Sequence, residues 1–204
     1  MKLIVFDADG TLTKTLSGKE FPESPTDKVL KFDPAILCDP NLYLVVASNQ
    51  KGVSLGLKSK KFLEEEFSYL DQITNYIFKC FLVCPDNGET VWVNSDHGKT
   101  FLKFGERPGH LRFSDVDFLS DFDSLIGQFR KPQPGMLHLA ERIAQWSSGT
   151  FQEVSERVFI GDRKSDAEAA EKAGFKFWYI DDWLWVNKLE LPETIESCEG
   201  EFTP

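Results

Sequence analysis

The chain has 204 residues and a formal net charge of −10, with 41% of its residues hydrophobic and 27% charged. That length suits one well-buried core with at most a small appendage, and the composition excludes a disordered or fibrous chain. No apolar run approaches the roughly 20 residues of a membrane-spanning helix, the opening stretch with its single Lys2 does not read as a signal peptide, and the acidic balance weighs against nucleic acid as a partner without excluding local basic clusters; a cytoplasmic protein is expected.

In chain order, "KLIVF", "LYLVVAS", "IFKCFLVC", "RVFIG" and "FKFWYI" read as buried strands. Between them "KSKKFLEEEFSYLDQITNYI", "PGMLHLAERIAQWSS" and "KSDAEAAEKAG" place apolar residues at helical spacing. Alternating strand and helix implies an α/β fold, a Rossmann-like parallel sheet with helices on both faces. The cysteines Cys38, Cys80, Cys84 and Cys198 lack the density of a disulfide scaffold and fit a reducing compartment. Cys80 and Cys84 have three apolar residues between them, which favours strand core over a zinc knuckle.

The first strand runs into "DADGT". Strand alternation would point Asp7 and Asp9 to one side, and two like charges side by side call for a cation between them; read alone, the stretch is equally a solvated strand end followed by an ordinary turn, which Asp-Gly favours. In a parallel sheet the reactive groups gather beyond the carboxyl ends of the strands. The residues there form a set: Asp7 and Asp9, then Ser48, Asn49 and Gln50 in "ASNQKGV", Arg130 and Lys131 in "FRKPQPGM", and Asp162 and Asp166 in "GDRKSD". Carboxylates of this kind are hard oxygen donors suited to Mg²⁺. Lys131 and Ser48, with backbone amides near Gly10 and Asn49, can neutralise and hydrogen-bond a phosphoryl group.

These four motifs, in this order from Asp7 to about Gly174, resemble the haloacid dehalogenase (HAD) superfamily of phosphohydrolases. The resemblance implies a Mg²⁺-dependent phosphomonoester hydrolase acting through an aspartyl-phosphate. Asp7 would be the nucleophile and Asp9 the general acid and base, with Ser48 holding a phosphoryl oxygen and Lys131 balancing charge. The metal would bind Asp7, the carbonyl of Asp9, and Asp162, with Asp166 close behind; Gly10, Asn49, Gln50 and Arg130 would contact phosphate or substrate. "SNQKGV" and "RKPQPGM" most resemble the branch with histidinol-phosphate phosphatase, heptose bisphosphate phosphatase and the phosphatase of polynucleotide kinase 3'-phosphatase. "SGKEFPESPTDKVL" leans towards the last of these, although its glycine and prolines also suit a surface loop.

The zinc-binding Cys and His pattern of the bacterial small-molecule enzymes is missing before Arg130. A segment at about 85–129, long for a connection, stands there instead. Alternation on both sides of "SDHGK" predicts a β-hairpin that would act as a minimal cap. His97, Lys99, Lys103, Arg107, His110 and Arg112 could meet substrate from it, although any one of them taken singly reads as an isolated surface charge. Lys99, Lys103, Arg107 and Arg112, with Lys51 and Lys58, are expected to be the only basic cluster offsetting the acidic charge near the site. His138 is expected to be structural, and Trp178, Trp183 and Trp185 to pack the last strand and C-terminal segment. The substrate is expected to be a small phosphate ester or a polynucleotide 3'-phosphate end. No kinase phosphate-binding loop occurs, so a repair role would be phosphatase only; a non-catalytic binding protein on this fold is the alternative of another class.

Overall fold

Leu3, Ile4, Val5 and Phe6 are all buried, two pointing to each face of a sheet, which is the pattern of a central parallel strand. The computed structural model describes residues 1–94, 102–104, 122–146 and 151–187. Its strands are β1 (Lys2–Phe6), β2 (Thr13–Lys14), β3 (Val29–Leu30), β4 (Leu42–Asn49), β5 (Cys80–Cys84), β6 (Val91–Asn94), β7 (Leu102–Phe104), β8 (Glu156–Gly161) and β9 (Lys176–Tyr179). The helices are α1 (Lys60–Ile73), α2 (Gly135–Trp146), α3 (Lys164–Ala173) and α4 (Ile180–Asn187).

The main sheet has the order β7-β6-β5-β4-β1-β8-β9. β5, β4, β1, β8 and β9 are parallel, with Phe6 level with Val46 on one side and Ile160 on the other. β6 and β7 are antiparallel additions at one edge. The hairpin expected around "SDHGK" is therefore present in its strands, and these continue the sheet. Residues 95–101 and 105–121 of the segment, among them His97, Lys99, Arg107, His110 and Arg112, lie outside the described residues, as does the Lys103 side chain.

Two cores cover the two faces. Leu3, Val5, Val45 and Phe159 pack against Met136, Leu139 and Ile143 of α2 and Ala169 and Ala170 of α3. Ile4, Phe6, Val46 and Ile160 pack against Leu63, Phe67 and Leu70 of α1 and Leu184 of α4. Local signals set the helix ends: the Ser59 hydroxyl accepts from the Phe62 amide at 3.0 Å, and α3 stops at Gly174, left-handed at φ 72°. None of the helices among the described residues is long and apolar enough to cross a membrane.

Cys80 and Cys84 are buried in β5 as core, and burial pushes the Cys84 thiol up to about 11. The tryptophan-rich stretch departs from expectation. Residues from Ile180 form a helix, which lays the Trp183 ring 5.7 Å from Phe6 and 5.3 Å from Phe32. Trp185 falls on the outer side of that helix and is 74% exposed, so it does not pack the core.

Candidate active site

β1, β4 and β8 are neighbours at the centre of the sheet, and their carboxyl ends deliver Asp7, Ser48 with Asn49 and Gln50, and Asp162 to one place. Beyond Phe6 the chain turns at once. The amides of Leu12 and Thr13 both donate to the Ala8 carbonyl, and Gly10 takes φ 87°. Alternation therefore does not run through Asp9, which corrects the expectation of two carboxylates facing one shared cation. Each instead meets its own lysine: Asp7 bonds Lys131, and Asp9 bonds Lys28.

Lys131 is buried at the floor of the site. Its Nζ donates to Asp7, to Asp166 Oδ1 at 2.8 Å and to the Ala47 carbonyl at 2.9 Å. Burial opposes its charge, and the two carboxylates outweigh that cost and hold the ammonium above its ordinary range. Burial likewise pushes Asp7 up, to about 7, against the pull of Lys131. Asn49 holds Lys131 in place through its backbone, donating to the carbonyl at 3.0 Å and accepting from the amide at 3.1 Å.

Asp166 uses its second oxygen to accept from the Arg163 amide at 3.0 Å, which fixes the start of α3. Oxygens of Asp7, Asp162 and Asp166 lie within 4.8 Å of one another. Burial raises the Asp162 carboxyl above its ordinary value. The Thr11 hydroxyl sits between two of these groups, 3.5 Å from Asp7 Oδ2 and 3.4 Å from Asp162 Oδ1. Gly10 is needed beside them, because a Cβ there would fall 2.3 Å from Asp162 Oδ2. Its amide is already bonded to the Thr13 carbonyl at 2.8 Å, so Gly10 contributes space rather than a free donor.

The Asp9 carboxylate is turned away from this cluster. Burial opposes its charge, but Lys28 outweighs burial and holds the carboxyl below its ordinary value. Gln50 donates to Asp9 Oδ2 at 2.6 Å and to the Ser48 hydroxyl at 3.1 Å. The "SGKEFPESPTDKVL" loop, between β2 and β3, is tied by Asp27, which accepts from the Ser17 amide and hydroxyl, both at 2.7 Å, and from the Glu23 amide at 2.9 Å.

Asp7, Asp9, Ser48, Asn49, Gln50, Arg130, Lys131 and Asp166 all face a cavity of about 890 Å³. Lys51 and Lys58 line the cavity as expected, but the expectation that they and the hairpin residues form the only basic cluster near the site is corrected here. Lys14, Lys19, Lys28, Arg130 and Arg163 also line the cavity, and Lys58 is held 2.6 Å from the buried Glu66. Phe21 and Leu57, 72% and 81% exposed, stand at its wall. Arg130 also donates to the Asp86 carbonyl at 3.4 Å. His138 sits half-buried on α2, outside this cavity.

Sequence reasoning missed Thr11, Lys28 and Glu66. Lys28 carries no motif. Glu66 had a usable signal: it falls three residues after Leu63 and four before Leu70, on the apolar face of α1.

A profile of the Polynucleotide kinase 3 phosphatase family matches residues 2–188. The chain belongs to that family. It is a phosphatase of the HAD superfamily, which favours the catalytic reading over a non-catalytic binding protein. No curated protein matches the sequence significantly. Among solved structures, D,D-heptose 1.7-bisphosphate phosphatase from B. bronchiseptica, complexed with magnesium and phosphate, superimposes with a TM-score of 0.56 at 22% identity, covering 88% of this chain and 80% of that one. A HAD-like phosphatase from Mesorhizobium loti gives 0.52 at 18% identity, covering 88% and 72%. At these identities the likeness is one of fold.

Proposed function

We propose that this phosphatase is a Mg²⁺-dependent phosphomonoesterase that works through an aspartyl-phosphate on Asp7 and acts on the 3'-phosphate end of a nucleic acid. The observation that carries the chemistry is Lys131, buried between Asp7 and Asp166 at the floor of an open cavity. The family match and the basic residues on the cavity wall support the substrate.

The donor set suits Mg²⁺: three carboxylates whose hard oxygens lie within 4.8 Å of one another. Asp7, Asp162 and the Asp9 carbonyl would hold it, with Asp166 behind, and when bound it supplies charge neutralisation at the phosphoryl oxygens. Asp7 attacks phosphorus while Lys131 offsets the charge gathering there, and Ser48 and Arg130 orient the phosphoryl group. In its protonated form Asp9 gives its proton to the leaving oxygen, and as the carboxylate, the form that Lys28 favours, it takes one from the water that cleaves the intermediate.

The test is phosphate release from a 3'-phosphorylated oligonucleotide, its 5'-phosphorylated counterpart and glycerol 2-phosphate. The reading expects the 3'-phosphate to be preferred and release to require Mg²⁺. The net charge of −10 favours the second reading, a small soluble ester. Hydrolysis of glycerol 2-phosphate with none of the oligonucleotide would establish that reading instead.

A further inference from the structure

Both oxygens of the Asp9 carboxylate belong to a closed ring of four hydrogen bonds and one ion pair. Lys28 Nζ donates to Oδ1 and stands 3.0 Å from Glu66 Oε1. Glu66 Oε2 accepts from Lys58 at 2.6 Å, and Lys58 also donates to Gln50 Oε1 at 2.9 Å. Gln50 Nε2 closes the ring on Asp9 Oδ2 at 2.6 Å. The formal charges of the two lysines and two carboxylates cancel. The side chains of Lys28 and Glu66 are 4% and 1% exposed, whereas that of Asp9 is 40% exposed and opens on the cavity.

We infer that Lys28 is a positioning residue, which through this ring fixes the direction in which Asp9 presents its proton to the leaving group. The inference rests on the role proposed above for Asp9. In that step the bond from Asp7 oxygen to phosphorus forms as the bond from phosphorus to the leaving oxygen breaks. The bonding pair stays on the leaving oxygen, and the Asp9 proton moves onto it, leaving Asp9 as a carboxylate.

Each Asp9 oxygen accepts one bond from the ring, and a carboxyl oxygen has lone pairs to spare for the transferred proton. Asp9 lies in a turn outside the sheet, so the ring does what strand pairing does for Asp7. Lys28 reaches it from the loop between β2 and β3 and Gln50 from just past β4, and Glu66 of α1 braces Lys28 directly and Gln50 through Lys58. Two side chains thus converge on one carboxylate, and a third element braces them. A buried ion pair is a weak source of stability compared with apolar packing; what this one supplies is a fixed orientation, and proton transfer depends on such alignment.

The experiment compares two leaving groups in K28M, K28R and the double variant K28M/E66Q, with thermal unfolding recorded for each. One substrate is an alkyl phosphate, either the 3'-phosphorylated oligonucleotide or glycerol 2-phosphate, whichever the wild-type protein hydrolyses. Its alkoxide must be protonated to leave. The other is p-nitrophenyl phosphate, whose phenolate leaves without that help. In K28M, kcat for the alkyl phosphate is expected to fall about tenfold or more beyond any fall for p-nitrophenyl phosphate. KM is expected to change by less than about threefold, and K28R to recover part of the loss. The double variant removes one buried charge of each sign and is read in the same way if K28M alone does not fold. Equal loss on both substrates, or none on the alkyl phosphate, overturns the inference. A wild-type protein that hydrolyses no phosphomonoester sinks the proposed function instead.

Discussion

Asn49 and Lys131, far apart in sequence, exchange a reciprocal pair of hydrogen bonds: the Asn49 amide donates to the Lys131 carbonyl at 3.0 Å and accepts from the Lys131 amide at 3.1 Å. The clamp ties the end of β4 to the loop that delivers the Lys131 ammonium to Asp7. Replacing Asn49 with Ala removes both bonds and leaves a half-buried backbone donor and acceptor to find water. The expected cost is about 1–2 kcal/mol, a fall in Tm of roughly 4 °C for a chain of this size. Phosphate release should fall further than stability does, because Lys131 is no longer held under Asp7. Differential scanning calorimetry beside steady-state kinetics checks both.

Asp7 ties catalysis to stability through pH. Its carboxyl is pushed from an ordinary 3.8 to about 7 in the folded protein, first of all by burial. Between those values the folded state holds a proton that the unfolded chain has lost, so the contribution of Asp7 is fully present below pH 3.8 and is lost as pH rises through about 7. Asp7→Asn takes this dependence away. In EDTA, denaturant unfolding should show D7N more stable than wild type at pH 8, with the difference shrinking towards pH 4. Turnover should vanish in D7N, since the amide cannot attack phosphorus. A wild-type stability that stays flat between pH 4 and 8 while D7N follows it would refute the burial argument.

Gly10 supplies a third prediction. Alanine at φ 87° is strained, and its Cβ would meet Asp162 Oδ2 at 2.3 Å. The conformational cost is about 1–3 kcal/mol, and Asp162 must move to make room. G10A should therefore need more Mg²⁺ to reach half-maximal rate as well as unfold at lower urea concentration. A Mg²⁺ titration of activity separates it from a variant that is merely less stable.

Where the sequence was legible, the reason is positional. Asp7, Ser48, Lys131, Asp162 and Asp166 follow apolar runs that can only be buried strands, or lead into a helix of clear period, and topology then brings them together. The hairpin strands β6 and β7 were legible from alternation for the same reason. Lys28 was not, because it lies in a loop where no periodicity fixes its direction, and its partner Glu66 reads as one acid among three in "EEEF". Only the face of α1 on which Glu66 falls distinguishes it from Glu64 and Glu65, which pair with surface lysines at 3.5 and 3.6 Å. Trp185 was misjudged because composition says that a tryptophan is apolar but not which side of a short helix it takes. Asp9 was misplaced by extending strand alternation past the residue where the chain turns.

The last prediction concerns the cavity wall. Lys14, Lys51 and Arg163 face the cavity, and a nucleic acid entering it would set its backbone phosphates against them. Each such contact releases condensed counterions, so log KM for a 3'-phosphorylated oligonucleotide should rise linearly with log salt. Each residue neutralised should lower that slope by somewhat less than one, since a single strand releases about 0.7 counterions per contact. The triple variant K14M/K51M/R163M should thus lose most of the salt dependence while kcat for p-nitrophenyl phosphate changes by less than about threefold, because that ester reaches only the cavity floor. None of the three is bonded to the carboxylate of Asp7 or Asp9, but Arg163 stands 3.8 Å from Asp162, so K14M/K51M alone is the control for disturbance of the proposed metal site. A wild-type KM that does not respond to salt would mean that the wall touches no backbone phosphate, and the substrate would then be a small ester held at the floor alone.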